Sequence, residues 1–175
     1  MDEGLKKMRQ RAFEKLVHNL EDLTKQYRTL LDCVRKEKEL LLEADITNLN
    51  ENNILKEQIL MRIRSLDGLR VNYATELAGI VGGDIAHPRL LEIAQRLGGA
   101  EADRLRTIHS TLELITNRLV QLNKENATYA ENGLKVVGSA MDNLKETLMG
   151  QKSYQKKGGY KTGPDKAGHF VSKEA

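Results

Sequence analysis

The chain has 175 residues, a net charge of +3, 30% charged side chains, 4% aromatics and no Trp, so it suits one domain with an aliphatic core. No run approaches the roughly 18 to 20 apolar residues that span a bilayer, and the first sixteen residues carry charges without the apolar stretch of a secretory signal. A lone Cys33 excludes an intramolecular disulfide and suits a reducing compartment, which makes the cytoplasm the expected address.

With prolines only at 88 and 164, long stretches are open to helix. The first helical pattern runs from about Glu3 to Ala44. Its apolar seam reads Phe13, Leu16, Leu20, Leu23, Tyr27, Leu30, Val34 and Leu41, interrupted at Glu37. Cys33 lies beside this seam and reads as a small buried hydrophobe. The mixed-sign cluster Arg35 to Glu39 is expected on the solvated face. Asp45 fits an N-cap, its short acceptor side chain standing just before a new apolar series.

That second series, over about 46–81, passes through Ile46, Leu49, Asn53, Lys56, Leu60, Ile63, Leu66, Tyr73, Leu77 and Ile80. It weakens at Asn50, Asn52 and Asn53, amides that the spacing leaves free to face the same end of a bundle as those later in the chain. A break of one or two residues between two long helices dictates an antiparallel hairpin. Gly82-Gly83-Asp84 ends the second helix, and Pro88 fits the first position of a short third one over 88–97. Gly98-Gly99 stops that helix.

The fourth helix, over about 101–149, carries the most regular pattern of the chain. Apolar or small residues recur in 3-4-3-4 order at Leu105, Ile108, Leu112, Ile115, Leu119, Leu122, Asn126, Tyr129, Gly133, Val136, Ala140, Leu144 and Leu148. Only the last step departs from strict alternation. Such spacing lays one stripe along a helix that packs on other helices. The expected fold is therefore all-α: an up-and-down antiparallel bundle of three long, coiled-coil-like helices plus one short connector helix, occupying 1–150.

From Gln151 onward the periodicity stops. Six lysines face two carboxylates, so this stretch carries +4 and leaves the rest of the chain at −1. Four glycines and few aliphatics cannot offset chain entropy there. Residues 151–175 are thus expected to form a disordered, flexible basic tail.

No catalytic constellation competes with the seams. The histidines (18, 87, 109 and 169) lack ligand-spaced partners, so no metal or cofactor is expected. The glycine pairs follow no strand, and helix ends explain them better than phosphate loops. Carboxylates alternate with lysines on helix faces. The chain is expected to bind rather than catalyse.

One stretch is locally inconsistent. Asn123, Asn126, Thr128, Asn132, Gly133, Gly138, Ser139 and Asn143 are poor helix formers, and each interior glycine costs about 1 kcal/mol, yet the seam persists through Tyr129, Val136, Ala140 and Leu144. Either Gly133 and Ala140 let neighbouring helices approach closely, or the segment is a groove that a partner's amphipathic helix completes.

These residues carry a resemblance. The order is a long first helix, a break at Ala-Asp-Ile, the charged stretch LNENNILKEQILMRIRSLDGLR, the short PRLLEIAQRLGG, and then ADRLRTIHSTLELITNRLVQLNKENATYAENGLKVV. Together they resemble the FlgN family of flagellar export chaperones from about Tyr27 to the C-terminus. Most of the likeness lies in Leu119 to Val137, with its Leu-Asn-x-x-Asn core at Leu122, Asn123 and Asn126. The resemblance implies a cytosolic chaperone of the flagellar type III secretion system that uses no cofactor. It would bind the C-terminal amphipathic segments of hook-filament junction (hook-associated) proteins, prevent their early assembly and deliver them to the export gate. Carried over by position, client binding falls to Leu119, Leu122, Asn123, Asn126, Tyr129, Val136, Val137 and Ala140.

Two other readings fit the same sequence. A structural coiled-coil bundle would pair its seams only with its own kind. A nucleic-acid binder would use the tail, where lysines interleave with Tyr154, Tyr160 and Phe170, giving at most weak, salt-sensitive binding.

Overall fold

A computed structural model describes residues 3–149 and, within the last helix, side chains as far as Leu144. The tail expected from Gln151 lies outside the described residues. The described chain is four helices: α1 (Glu3–Glu43), α2 (Ile46–Val81), α3 (Leu90–Leu97) and α4 (Gly99–Met149). Residues to Tyr129 form one compact unit and those from Ala130 a second.

The first unit is an all-α, up-down-up bundle. Lys15 Nζ meets the Glu76 carboxylate at 3.2 Å, Asn19 Nδ2 donates to the Leu66 carbonyl at 3.1 Å, and Asn52 Nδ2 donates to the Cys33 carbonyl at 3.0 Å. Partner numbers fall along α2 as they rise along α1, so the two are antiparallel. By contrast α4 runs parallel to α1. Arg9 meets Glu101 at 3.2 Å, Arg104 meets Glu21 at 2.6 Å, and Lys38 meets Glu125 at 2.9 Å.

The turn between α1 and α2 is only Ala44 and Asp45. Ala44 takes a left-handed conformation (φ 53°), and the Asp45 side chain accepts from the Asn48 N–H at 3.1 Å. Those hydrogen bonds from Asn48 favour the ionised carboxylate and hold Asp45 below the usual aspartate range. At the far end Gly82, at φ 76°, closes α2 by donating its N–H to the Ala78 carbonyl, a conformation glycine adopts without steric cost. α3 begins at Leu90, with Arg89 extended before it, so Pro88 stands outside the helix. Gly98 alone separates α3 from α4.

Two apolar clusters stack along the bundle. One unites Phe13, Leu16, Val17 and Leu20 of α1, Leu77 of α2, Ile93 of α3 and Leu105 of α4. The other unites Leu23, Leu30 and Val34 of α1, Ile59 and Ile63 of α2, and Ile115, Leu119 and Leu122 of α4. The α1 seam holds from Phe13 to Val34 and then shifts by one residue, burying Leu40 rather than Leu41.

The α2 seam differs from its sequence pattern over its first half. Asn52 and Ile59 are buried where Asn53 and Leu60 are expected on the seam, and Ile46 is exposed. In the run Ile54 to Ile63 apolar residues occupy every side of the helix, so periodicity alone does not select the inward face. The Cys33 carbonyl does, by accepting from the Asn52 amide.

Candidate functional site

The residues expected to bind a client separate into two groups. Leu119 and Leu122 are core side chains, packed with Val34, Ile59 and Ile63. Asn126 is also buried, at 5% exposure, and is the last buried side chain of α4 among the described residues. Asn123 is exposed and faces away from this core.

Asn126 organises a polar layer that closes the second cluster. Its Nδ2 donates to the Val34 carbonyl and to Glu37 Oε2, each at 3.0 Å. Lys56 of α2 pairs with the other Glu37 oxygen, and Asn52 caps the Cys33 carbonyl one turn away. Glu37 therefore does not sit on a solvated face with its neighbours. It enters the seam because an ammonium and an amide are there to receive it, as a half-buried carboxylate requires. On the rim Lys38 donates to Glu125 and holds that carboxyl below its usual range. Burial pushes the Cys33 thiol up, away from the reactive thiolate. Asn126→Ala is expected to cost about 1–3 kcal/mol, because the buried Val34 carbonyl and the part-buried Glu37 Oε2 each lose a donor. Thermal unfolding followed by circular dichroism checks this, and an unchanged midpoint would count against the layer.

Beyond Asn126 the stripe is uncovered. Tyr129 is 47% exposed, Val136 71% and Val137 57%. Ala140 is exposed as well. Leu134 (74%), Met141 (55%) and Leu144 (57%) join them, and none of the three was among the expected site residues. A signal for them exists in the sequence: Ala130, Leu134, Val137 and Met141 form a second 4-3-4 series one residue behind the first, and Leu144 continues both. Two adjacent stripes give a wide apolar face rather than a narrow seam. A Cβ built on Gly133 or Gly138 would meet nothing within 4 Å.

Among the described residues no group of three His, Cys, Asp or Glu side chains is placed to hold a metal ion, and no helix is long and apolar enough to cross a membrane. The chemistry on display is an apolar helix face flanked by Asn, Lys and Glu, which suits recognition of another amphipathic segment.

The FlgN protein family matches residues 8–162. The chain belongs to the FlgN family. It is thereby placed among flagellar export chaperones, in agreement with the likeness read from Leu119 to Val137. No curated protein and no solved structure gives a significant match. The family match covers both the bundle and the uncovered part of α4.

Proposed function

We propose that this FlgN-family chain is a cytosolic export chaperone whose client face is the uncovered part of α4. In this reading it binds the C-terminal amphipathic segments of hook-filament junction proteins. It keeps them from assembling early and brings them to the flagellar type III export gate. One observation carries the proposal: the 3-4 stripe that is buried from Leu105 to Asn126 continues through Tyr129, Val136 and Ala140 as exposed side chains, with Val137 exposed beside it.

An exposed face of this kind is a docking surface for a helix with anchors at i, i+3, i+4 and i+7. Tyr129, Leu134, Val137, Met141 and Leu144 supply the complementary apolar side. Leu119, Leu122 and Asn126 act one step back, holding the base of the helix against α1 and α2. A client segment that is disordered when free orders on binding, and that entropic cost keeps affinity moderate and release ready. Export requires release.

The test is capture from cytosol with a tagged chain, bound proteins being identified by mass spectrometry. Recovery of one or two junction proteins by the full chain, and of none by a chain ending at Tyr129, is the expected result. Equal recovery by both would move the client site into the bundle. Recovery of the chain alone would favour a self-pairing structural role.

A further inference from the structure

The outward face of α2 has no role in the bundle or in the uncovered part of α4. Ile54 is 58% exposed and Met61 60%, and Leu55, Leu60, Leu69 and Val71 are each exposed by 37–47%. Ile54, Met61 and Val71, which share one side of the helix, present on the order of 300 Å² of apolar surface. They are not scattered. Asn50, Ile54, Glu57, Met61, Arg64, Gly68 and Val71 recur at 4-3-4-3-4-3 spacing, a second seam on the side of α2 opposite Asn52, Ile59 and Ile63.

Two further features say what covers it. Gly68 lies in the middle of a helix, where glycine is costly, and a Cβ there would meet nothing within 4 Å, so the bundle gives no reason for it. Glu57 and Arg64 sit on the same flank of the stripe, and neither is among the ion pairs of the described chain. Both features are met by one arrangement. If a second α2 lies antiparallel with the two-fold axis at Met61, then Met61 meets its own copy. Ile54 falls opposite the open surface at Gly68, and Glu57 comes within reach of Arg64 on both sides of the axis. Same-flank contacts of this kind arise only in an antiparallel pair; a parallel pair would set Ile54 on Ile54 and leave both charges unmatched.

We propose that the chain forms a two-fold dimer through α2, with Met61 at the axis, Ile54 seated over Gly68 of the other copy and Glu57 paired with its Arg64. This surface is separate from the α4 face and does not depend on the client reading. Two such stripes bury on the order of 600 Å² of apolar surface, the range of weak, transient contacts. The dimer should therefore be readily reversible, with Kd on the order of 100 μM.

Sedimentation velocity of the full chain over a concentration series tests this. A monomer–dimer equilibrium is expected, weakened about a hundredfold by Met61→Asp, which buries a charge at the axis. Glu57→Arg and Arg64→Glu should each weaken it by about tenfold, and the double exchange should restore it, because the pair reforms with its signs reversed. All these positions are solvent-facing, so unchanged helicity by circular dichroism identifies the variants as folded. In a Cys33→Ser background, Ile54→Cys with Gly68→Cys should oxidise to a covalent dimer. Val136→Asp, on the α4 face, should leave association unchanged. A chain that is monomeric throughout overturns the proposal. So does a dimer that survives Met61→Asp, one abolished by Val136→Asp, or a charge exchange that fails to rescue.

Discussion

Tyr129→Ala combined with Val136→Asp is expected to abolish capture of junction proteins, lowering affinity by at least about a hundredfold, while the bundle remains folded. Tyr129 and Val136 are seven residues apart on one stripe of α4, and both are exposed, at 47% and 71%. A client helix laid on that stripe would cover both. Removing the phenol ring deletes an anchor of the kind that dominates interface energies, and a carboxylate at 136 would have to be desolvated without a partner. Neither position contributes to the apolar clusters of the bundle, so the unfolding midpoint should scarcely move. Titration of the purified variant against a peptide matching the last segment of a junction protein measures the loss directly. An affinity equal to that of the parent chain would remove the α4 face as the client site.

Leu105→Ala should be among the most damaging single changes for stability. Leu105 is fully buried and lies at the junction of all four helices, with Leu16 and Leu20 of α1, Leu77 of α2 and Ile93 of α3. Truncation removes apolar contact and leaves a cavity that a four-way junction cannot easily collapse, at a cost of about 3 kcal/mol or more. For a chain of this size the midpoint should fall by roughly 6–12 °C. Leu134→Ala, the same chemical change in the same helix, should shift stability by no more than about 0.5 kcal/mol, because Leu134 is 74% exposed. The contrast separates the packed length of α4 from its uncovered length. Paired denaturation curves check it, and equal losses would mean that the 130–144 segment is buried in solution.

The fold was largely legible in the sequence because its helices are strongly patterned. Phe13, Leu16, Leu20, Leu23, Leu30 and Val34 stand at 3.6-residue spacing against a polar background, so the inward face of α1 has no competitor. Asp45, Gly82 and Gly98 mark breaks through local chemistry, namely a side-chain cap and two glycines with positive φ. On α2 this logic fails. Ile54, Leu55, Ile59, Leu60, Met61 and Ile63 surround the helix, so several faces satisfy the same period, and only the Asn52 and Lys56 contacts to α1 select one of them. Glu37 departs from its sequence expectation for a related reason. A carboxylate among charged neighbours looks solvated until Lys56, nineteen residues on, and Asn126, eighty-nine residues on, are seen to reach it.

The candidate site shows the same division. By itself the sequence determined that α4 carries one continuous stripe from Leu105 to Leu144, that a second stripe joins it after Asn126, and that Asn and Gly weaken the helix there. Those are properties of residue type and spacing, which a helix converts into a face without help from the rest of the chain. Where the stripe is covered was decided by tertiary structure alone. A stripe is buried only where another helix offers a face to it, and within the first unit α1 and α2 offer theirs to Leu105, Ile115, Leu119, Leu122 and Asn126. Leu119 and Val136 are therefore alike as letters on a seam and opposite in surroundings, one packed in the bundle and the other exposed.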